Sequence, residues 1–481
     1  MTLLLPAEVL ERIFRMLPPK DLKRAVEVCR RWREVSEVPG FWVWVRLWVR
    51  PQNFKIMKEV LERRRFKPVE KLTISMGLDR SRGKMSEKLL QAVIKHPGLK
   101  ELDLQDAELH QVEPKLLMKV LGKMETIKIH LEQCRLTKRQ IETFFFFNGH
   151  SDKCQLKKLH LKRHQYSLFN IKASAFAFLD PELLARTTSK LEELEIFARC
   201  LSTEQILAVL VGLGEASSKI RKLRLEQVNL FVVIPAILVS VVEKLEEVNL
   251  VNTSVTNEQV EAVLAAILTD ESKLRLMNLS RNNLSLLDTT LLARSFAKLE
   301  VVQLEKTSLT SEQLETVLTA VPENSNLKTL NLSENNLSLV NVTLLLKAIS
   351  QLKELSLANA RLTTHQAEAV LTAIAEDSNL TMLDISGNSL SVVDPATLAR
   401  LVEYLEVMNI CDTSLSELQE AAILTAITTN SKLRILKMNE PLNANPELMT
   451  MVTRKLEEVS LSYHLDHEDY GDGCYDETID Q

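Results

Sequence analysis

The chain has 481 residues, 26% of them charged, and a net charge of −4 at pH 7. That length exceeds one ordinary compact core unless the chain is a solenoid, and the near-balanced charge excludes a wholesale binder of nucleic acid. Its cysteines (Cys29, Cys134, Cys154, Cys200, Cys411, Cys474) are scattered without a Cys-x-x-Cys pair, which points to reduced thiols rather than a zinc or disulfide framework.

In chain order, the first element is LPAEVLERIFRMLP at 5–18. Val9, Leu10, Ile13, Phe14 and Leu17 mark one face of a short amphipathic helix, with Pro6 at its start and Pro18 at its stop. Glu8 and Glu11 interrupt the apolar run, so no signal-peptide layout is present. A second stripe follows at Leu22, Val26, Cys29 and Trp32, and then the segment PGFWVWVRLWV. All four tryptophans lie between residues 32 and 48, an apolar load that fifty residues cannot bury alone and that marks a partner site.

These residues resemble an F-box. The positions that carry the resemblance are Leu5, Pro6, Glu8, Ile13, Phe14, Leu17, Pro18, Asp21, Leu22, Val28, Cys29, Trp32, Pro39 and Trp42. The resemblance implies a small all-α domain over 1–50 that binds the adaptor subunit of SCF ubiquitin ligases, which in turn joins a cullin scaffold. The implied adaptor contacts are Leu5, Pro6, Val9, Leu10, Ile13, Phe14, Leu17, Pro18, Leu22, Val26, Cys29, Trp32 and Trp42. The alternative is a helical cap that only seals the end of the solenoid.

Residues 51–68 read as a helical connector. Residues 1–68 hold 16 Lys and Arg against 8 Asp and Glu, a net of +8, so the remainder carries −12 to give the overall −4. Arg63-Arg64-Arg65 reads as a solvated helix face, and no nucleic acid is expected.

From residue 69 one pattern recurs. LKTLNLSENNL at 327–337 has counterparts in RLMNLSRNNL and TMLDISGNSL, with Asn282, Asn335 and Asn388 spaced 53 residues apart. Midway, Thr307, Ala360 and Thr413 are again 53 apart, so the unit is a pair of repeats. The pattern resembles the leucine-rich repeat. The implied fold is an α/β solenoid, a horseshoe with parallel strands on the concave face and helices on the convex face. About 15 units cover 69–462, the first beginning near Val69 and the last near Leu456.

Helix starts are legible too. Thr137/Gln140, Ser202/Gln205, Thr256/Gln259, Thr310/Gln313, Thr363/Gln366 and Ser416/Gln419 have capping-box spacing. Asp180, Asp288, Asn341, Asp394 and Asn445 are cap residues of the alternate helices, several followed by proline. The longest apolar run, LFVVIPAILVSVV at 230–242, is shorter than the ~20 residues a membrane helix needs and reads as a buried solenoid helix. No membrane partner is expected, and the protein reads as cytoplasmic or nuclear.

Strand residues between the leucines alternate onto the concave face. In the N-terminal half they are charged, including Glu101, Asp103, Lys128, His130, Lys158, His160, Lys162, Glu193, Glu195, Lys222 and Arg224. From residue 249 onward they are mostly small and neutral. The candidate substrate-binding set is Lys128, His130, Lys158, His160, Lys162, Glu193, Glu195, Lys222 and Arg224. Within it, Lys158, His160, Lys162, Lys222 and Arg224 form a basic patch expected to favour acidic or phosphorylated segments. FFFF at 144–147 and YSLFNIKASAFAF at 166–178 read as irregular core with an exposed aromatic anchor as the alternative.

The tail 463–481 has seven acidic residues and no basic one, a composition expected to be disordered. His464, Asp466, His467 and Asp469 lie too loosely on it to be expected as a metal site. No Gly-rich phosphate loop, nucleophile elbow or His-Glu-x-x-His motif occurs. No catalysis, cofactor or metal is therefore expected. The F-box resemblance implies a substrate-recognition subunit of an SCF-type ligase, and the alternative is a non-catalytic repeat scaffold or inhibitor.

Overall fold

The structure, a computed structural model, describes residues 10, 28–29, 32, 34–35, 44–49, 69–76, 82–96, 98–105, 109–130, 136–150, 155–162, 178–197, 201–321, 326–376, 379–429, 431–441, 446–456 and 458–462. The connector 51–68, the segment 166–177, Asn445 and the tail 463–481 lie outside the described residues. The chain divides into two compact units, residues 1–224 and 225–481.

In the first unit, parallel strands pair in chain order. They are β1 (Trp44–Val49), β2 (Lys71–Met76), β3 (Glu101–Gln105), β4 (Thr126–His130), β5 (Lys158–Lys162), β6 (Glu193–Phe197) and β7 (Lys222–Glu226). Helices Arg82–Lys95, Pro114–Leu121, Lys138–His150, Pro181–Thr188 and Thr203–Gly214 alternate with them. Successive side chains of a strand point to opposite faces, so each repeat sends two aliphatics inward. Leu102 and Leu104, Leu159 and Leu161, and Leu194 and Ile196 are all buried.

Trp44–Val49 pairs in parallel with Lys71–Met76, from Trp44↔Lys71 to Val49↔Met76. The sheet therefore begins one strand ahead of the unit expected at Val69, and the tryptophan-rich segment includes a strand. Its run of aromatic, β-branched and aliphatic residues suits extended backbone.

The second unit has the same construction. Its strands are β8 (Glu247–Asn249), β9 (Leu276–Asn278), β10 (Val301–Gln303), β11 (Thr329–Asn331), β12 (Glu354–Ser356), β13 (Met382–Asp384), β14 (Val407–Asn409), β15 (Ile435–Asn439) and β16 (Glu458–Ser462). The recurrent asparagines tie neighbouring repeats together. Asn335 Nδ2 donates to the Leu304 and Leu332 carbonyls at 2.6 and 3.1 Å, and its Oδ1 accepts from the Thr307 amide at 3.1 Å. Asn282 makes the corresponding bonds one repeat pair earlier; one pair later Asn388 Nδ2 donates to the Leu357 and Ile385 carbonyls in the same way, while its Oδ1 accepts from the Leu362 amide, two residues beyond the position equivalent to Thr307. A buried polar side chain is tolerable because its donors and acceptor are satisfied.

The capping glutamines do more than their spacing shows. In all six boxes the Gln Oε1 accepts from the cap amide. The same side chain donates from Nε2 to carbonyls of the preceding repeat, as Gln313 does to Leu284 and Leu287 at 3.1 and 2.9 Å. Asp180, Asp288, Asn341 and Asp394 cap the alternate helices. Of the run 230–242, residues Pro235–Val242 form a helix that buries Leu238, Val241 and Val242, whereas Phe231, Val232 and Ile234 are exposed. The expected buried helix therefore covers only part of that run. Among the described residues, no helix is long and apolar enough to cross a membrane.

Candidate protein-interaction faces

The first candidate face is the N-terminal segment. Of the implied adaptor contacts, Leu10, Cys29 and Trp32 are described. Leu10 is helical and buried, Cys29 is a free, exposed thiol, and Trp32 is helical and half-buried. Leu5, Pro6, Val9, Ile13, Phe14, Leu17, Pro18, Leu22, Val26 and Trp42 lie outside the described residues.

The second is the strand face of the first unit that points away from the buried leucines. Parallel registry builds two charged rows there. One runs Lys71↔Glu101↔Thr126↔Lys158↔Glu193, and the other Thr73↔Asp103↔Lys128↔His160↔Glu195. Residues directly opposite on adjacent strands are the interacting units of a sheet, so the opposite signs at Lys71↔Glu101, Lys158↔Glu193, Asp103↔Lys128 and His160↔Glu195 are stabilising, while Lys128 and His160 are opposed cationic neighbours. Lys128 Nζ lies 2.8 Å from a Glu101 oxygen, and Lys158 Nζ lies 2.8 Å from Glu193. His160 sits at the centre, with Nε2 2.7 Å from Glu193 Oε1 and Nδ1 2.8 Å from Glu195 Oε2. Arg224 approaches Glu195 at 3.6 Å and lies over the Phe197 ring, 5.2 Å from its centre. Lys222 is half-buried on β7. The side chains of His130 and Lys162 lie outside the described set.

The expected basic patch is thus a mixed-charge lattice. Spacing placed Lys158, His160 and Arg224 on one face, but registry sets each beside a carboxylate. Electrostatics follow from that contact. Burial works against a charge on His160, yet the carboxylates of Glu193 and Glu195 outweigh it and raise its pKa above the ordinary value. The His160 ring draws the Glu193 carboxyl down to about 2, with burial opposing and Lys158 assisting. Burial also opposes the charge on Glu101, but Lys128 and Lys71 more than offset it and lower its pKa. Among the described residues, no group of His, Cys, Asp and Glu side chains is arranged to hold a metal ion.

The phenylalanines divide between the two roles expected of them. On helix Lys138–His150, Phe144 and Phe145 are buried and meet edge to face at 5.1 Å. Phe146 and Phe178 are exposed, Phe146 stacking on His150 at 4.4 Å and Phe178 lying under Lys138 Nζ at 4.9 Å. Phe197, whose ring supports Arg224, was not among the expected site residues; it occupies the same strand face two residues after Glu195, which was the available signal.

Residues 2–48 match the family described as F-box-like, and residues 379–401 match Leucine Rich Repeat. The F-box-like match comes first in the chain, and the two matches cover 47 and 23 residues of it. No curated protein sequence matches it. Similar solved structures include the tropomodulin C-terminal domain of Caenorhabditis elegans, at 21% identity over 30% of this chain and 91% of that one, with a TM-score of 0.25. A TLR13–ssRNA13 complex is 16% identical over 82% of this chain and 50% of that one, with a TM-score of 0.38. The complex of Rad7 and Elc1 from yeast is 16% identical over 85% and 93% respectively, with a TM-score of 0.39.

Proposed function

We propose that the chain is the substrate-recognition subunit of an SCF-type ubiquitin ligase. The observation that carries this reading is the F-box-like match over residues 2–48 ahead of a repeat array. In it, residues 1–50 engage the adaptor through Leu5, Pro6, Val9, Leu10, Ile13, Phe14, Leu17, Pro18, Leu22, Val26, Cys29, Trp32 and Trp42, and the adaptor joins a cullin. Residues 51–68 connect this module to repeats over 69–462, and 463–481 is an acidic extension. The strand face bearing Lys128, Lys158, His160, Glu193, Glu195, Lys222 and Arg224 holds the target protein, with His130 and Lys162 registered opposite each other in the next row. The chain contributes proximity rather than chemistry. Holding a target near a charged conjugating enzyme raises the effective concentration of its lysines. The site of action is the cytoplasm or nucleus.

A second reading is a repeat scaffold or inhibitor whose N-terminal helices cap the solenoid. One observation favours it: Trp44–Val49, most of which falls within the F-box-like match, pairs with the next strand of the repeat sheet. Co-expression of the full chain with SCF adaptor and cullin, followed by size-exclusion chromatography, separates the two. A co-eluting assembly supports the receptor, and separate elution of folded chain supports the scaffold.

A further inference from the structure

In the second unit, every second repeat enters its helix through one recurrent four-residue pattern. The examples are Ser285-Leu286-Leu287-Asp288, Ser338-Leu339-Val340-Asn341 and Ser391-Val392-Val393-Asp394, with Phe231-Val232-Val233-Ile234 at the equivalent place. The fourth residue is the helix N-cap. The third is buried in every case, at 2–4% exposure, as a hydrophobic residue preceding the cap should be. The second has no such explanation. Val232, Leu286, Leu339 and Val392 are 57%, 78%, 77% and 58% exposed.

Singly exposed apolar residues are ordinary. Four at one register, 54, 53 and 53 residues apart, are not scatter. Their loops are also held alike, since the amides of Leu230, Leu284, Leu337 and Leu390 each donate at 2.9 Å to a carbonyl of the intervening repeat. Strand and helix spacings bracket the separation of successive members at about 10–20 Å.

The surroundings are acidic. The helices between the first three members carry Glu258 and Glu312 in their first turns and the helix after Val392 carries Glu417, whereas Thr364–Glu376, between Leu339 and Val392, has no acidic residue there and follows the exposed Arg361. Glu261 accepts from the Asp288 amide at 3.3 Å and Glu315 from the Asn341 amide at 2.9 Å, which sets a carboxylate at the helix cap two residues after Leu286 and after Leu339. The helices from Pro235–Val242 to Glu417–Thr429 have no Lys or Arg among their first four residues. Arg281 and Lys306, on the turns after their strands, are paired with Glu305 and Glu334.

We infer that this row is a docking edge for a partner segment that carries aliphatic or aromatic anchors with Lys or Arg between them. The anchors cover Val232, Leu286, Leu339 and Val392, and the cations meet the carboxylates alongside. The edge belongs wholly to the second unit and takes its partner whether or not an adaptor is bound.

The test uses the full chain and a fluorescent amphipathic peptide of Leu and Lys, with two control peptides in which Glu replaces Lys or Ser replaces Leu. The expected result is one-to-one binding of the Leu/Lys peptide, none of either control, and at least a tenfold loss in the Leu286→Ser/Leu339→Ser variant. Both leucines are exposed, so the variant keeps the wild-type melting temperature; Glu261→Lys/Glu315→Lys, which leaves the leucines in place, should weaken binding as well. Equal affinity of wild type and both variants overturns the inference, as does equal binding of the Glu peptide. A concentration-dependent dimer that disappears in the leucine variant overturns it too, because the occupant would then be a second copy.

Discussion

His160 and Glu193 meet across adjacent parallel strands with 2.7 Å between ring nitrogen and carboxylate. Glu195 closes on the other ring nitrogen at 2.8 Å, while Lys128 is the registered neighbour on the preceding strand and Lys158 and Arg224 neutralise the outer carboxylate oxygens. The cation at the centre is therefore the group on which both glutamates depend.

That dependence has a pH signature. The folded-state pKa of His160 is raised, so its contribution is complete below the ordinary value of 6.5 and fades as pH rises through the raised value. The Glu193 carboxyl is lowered from 4.5 to about 2, so its contribution is complete above 4.5 and fades as pH falls towards 2. The stability difference between wild type and His160→Gln should be greatest between those two ordinary values, at about 1–3 kcal/mol for a partly buried cluster. Urea denaturation from pH 3 to 9 measures it, and a difference independent of pH contradicts the assignment.

Gln313 supplies a sharper test of repeat cohesion. Gln313→Ala removes the cap acceptor and takes the side-chain donor from two buried carbonyls, of which Leu284 keeps its bond from the Leu287 amide at 3.1 Å, and should cost about 1–3 kcal/mol. Gln313→Glu keeps the acceptor but sets a carboxylate against the Leu284 and Leu287 carbonyls. It should cost at least as much as alanine. Were Glu as stable as Gln by chemical denaturation, capping alone would account for the residue.

Adjacent asparagines should behave oppositely. Asn335→Ala leaves the Thr307 amide without its acceptor and takes one of two donors from each of the Leu304 and Leu332 carbonyls, which keep the Thr307 hydroxyl and the main-chain amide of position 335, at about 1–3 kcal/mol. Asn336 is exposed and, among the described residues, bonds within its own turn, to the Ser338 amide and hydroxyl. Asn336→Ala should stay within about 0.5 kcal/mol of wild type. Equal losses in thermal unfolding would remove the inter-repeat role assigned to Asn335.

Much of this architecture was legible because each repeat spends its residues in the same way. The 53-residue spacing of Asn282, Asn335 and Asn388 marks the strands, and Thr310 with Gln313 marks a helix start. Trp44–Val49 was not legible as a repeat strand because it lacks the leucine spacing and adjoins the F-box-like pattern. Periodicity assigns His160 to a face but does not say what it meets; registry does, and it brings Glu195 opposite and Glu193 diagonal. Leu286 and Leu287 look alike in sequence, and only the fold separates the buried residue from the exposed one.

Titration of the SCF adaptor into the full chain by calorimetry tests the central claim most directly, with Ile13→Asp as the control. The account predicts a one-to-one complex that the variant abolishes, since an unpaired charge among the apolar adaptor contacts costs several kcal/mol, on the order of 3 or more. The variant should keep the wild-type melting temperature. No heat of binding from folded wild type, or equal binding by the variant, would contradict it.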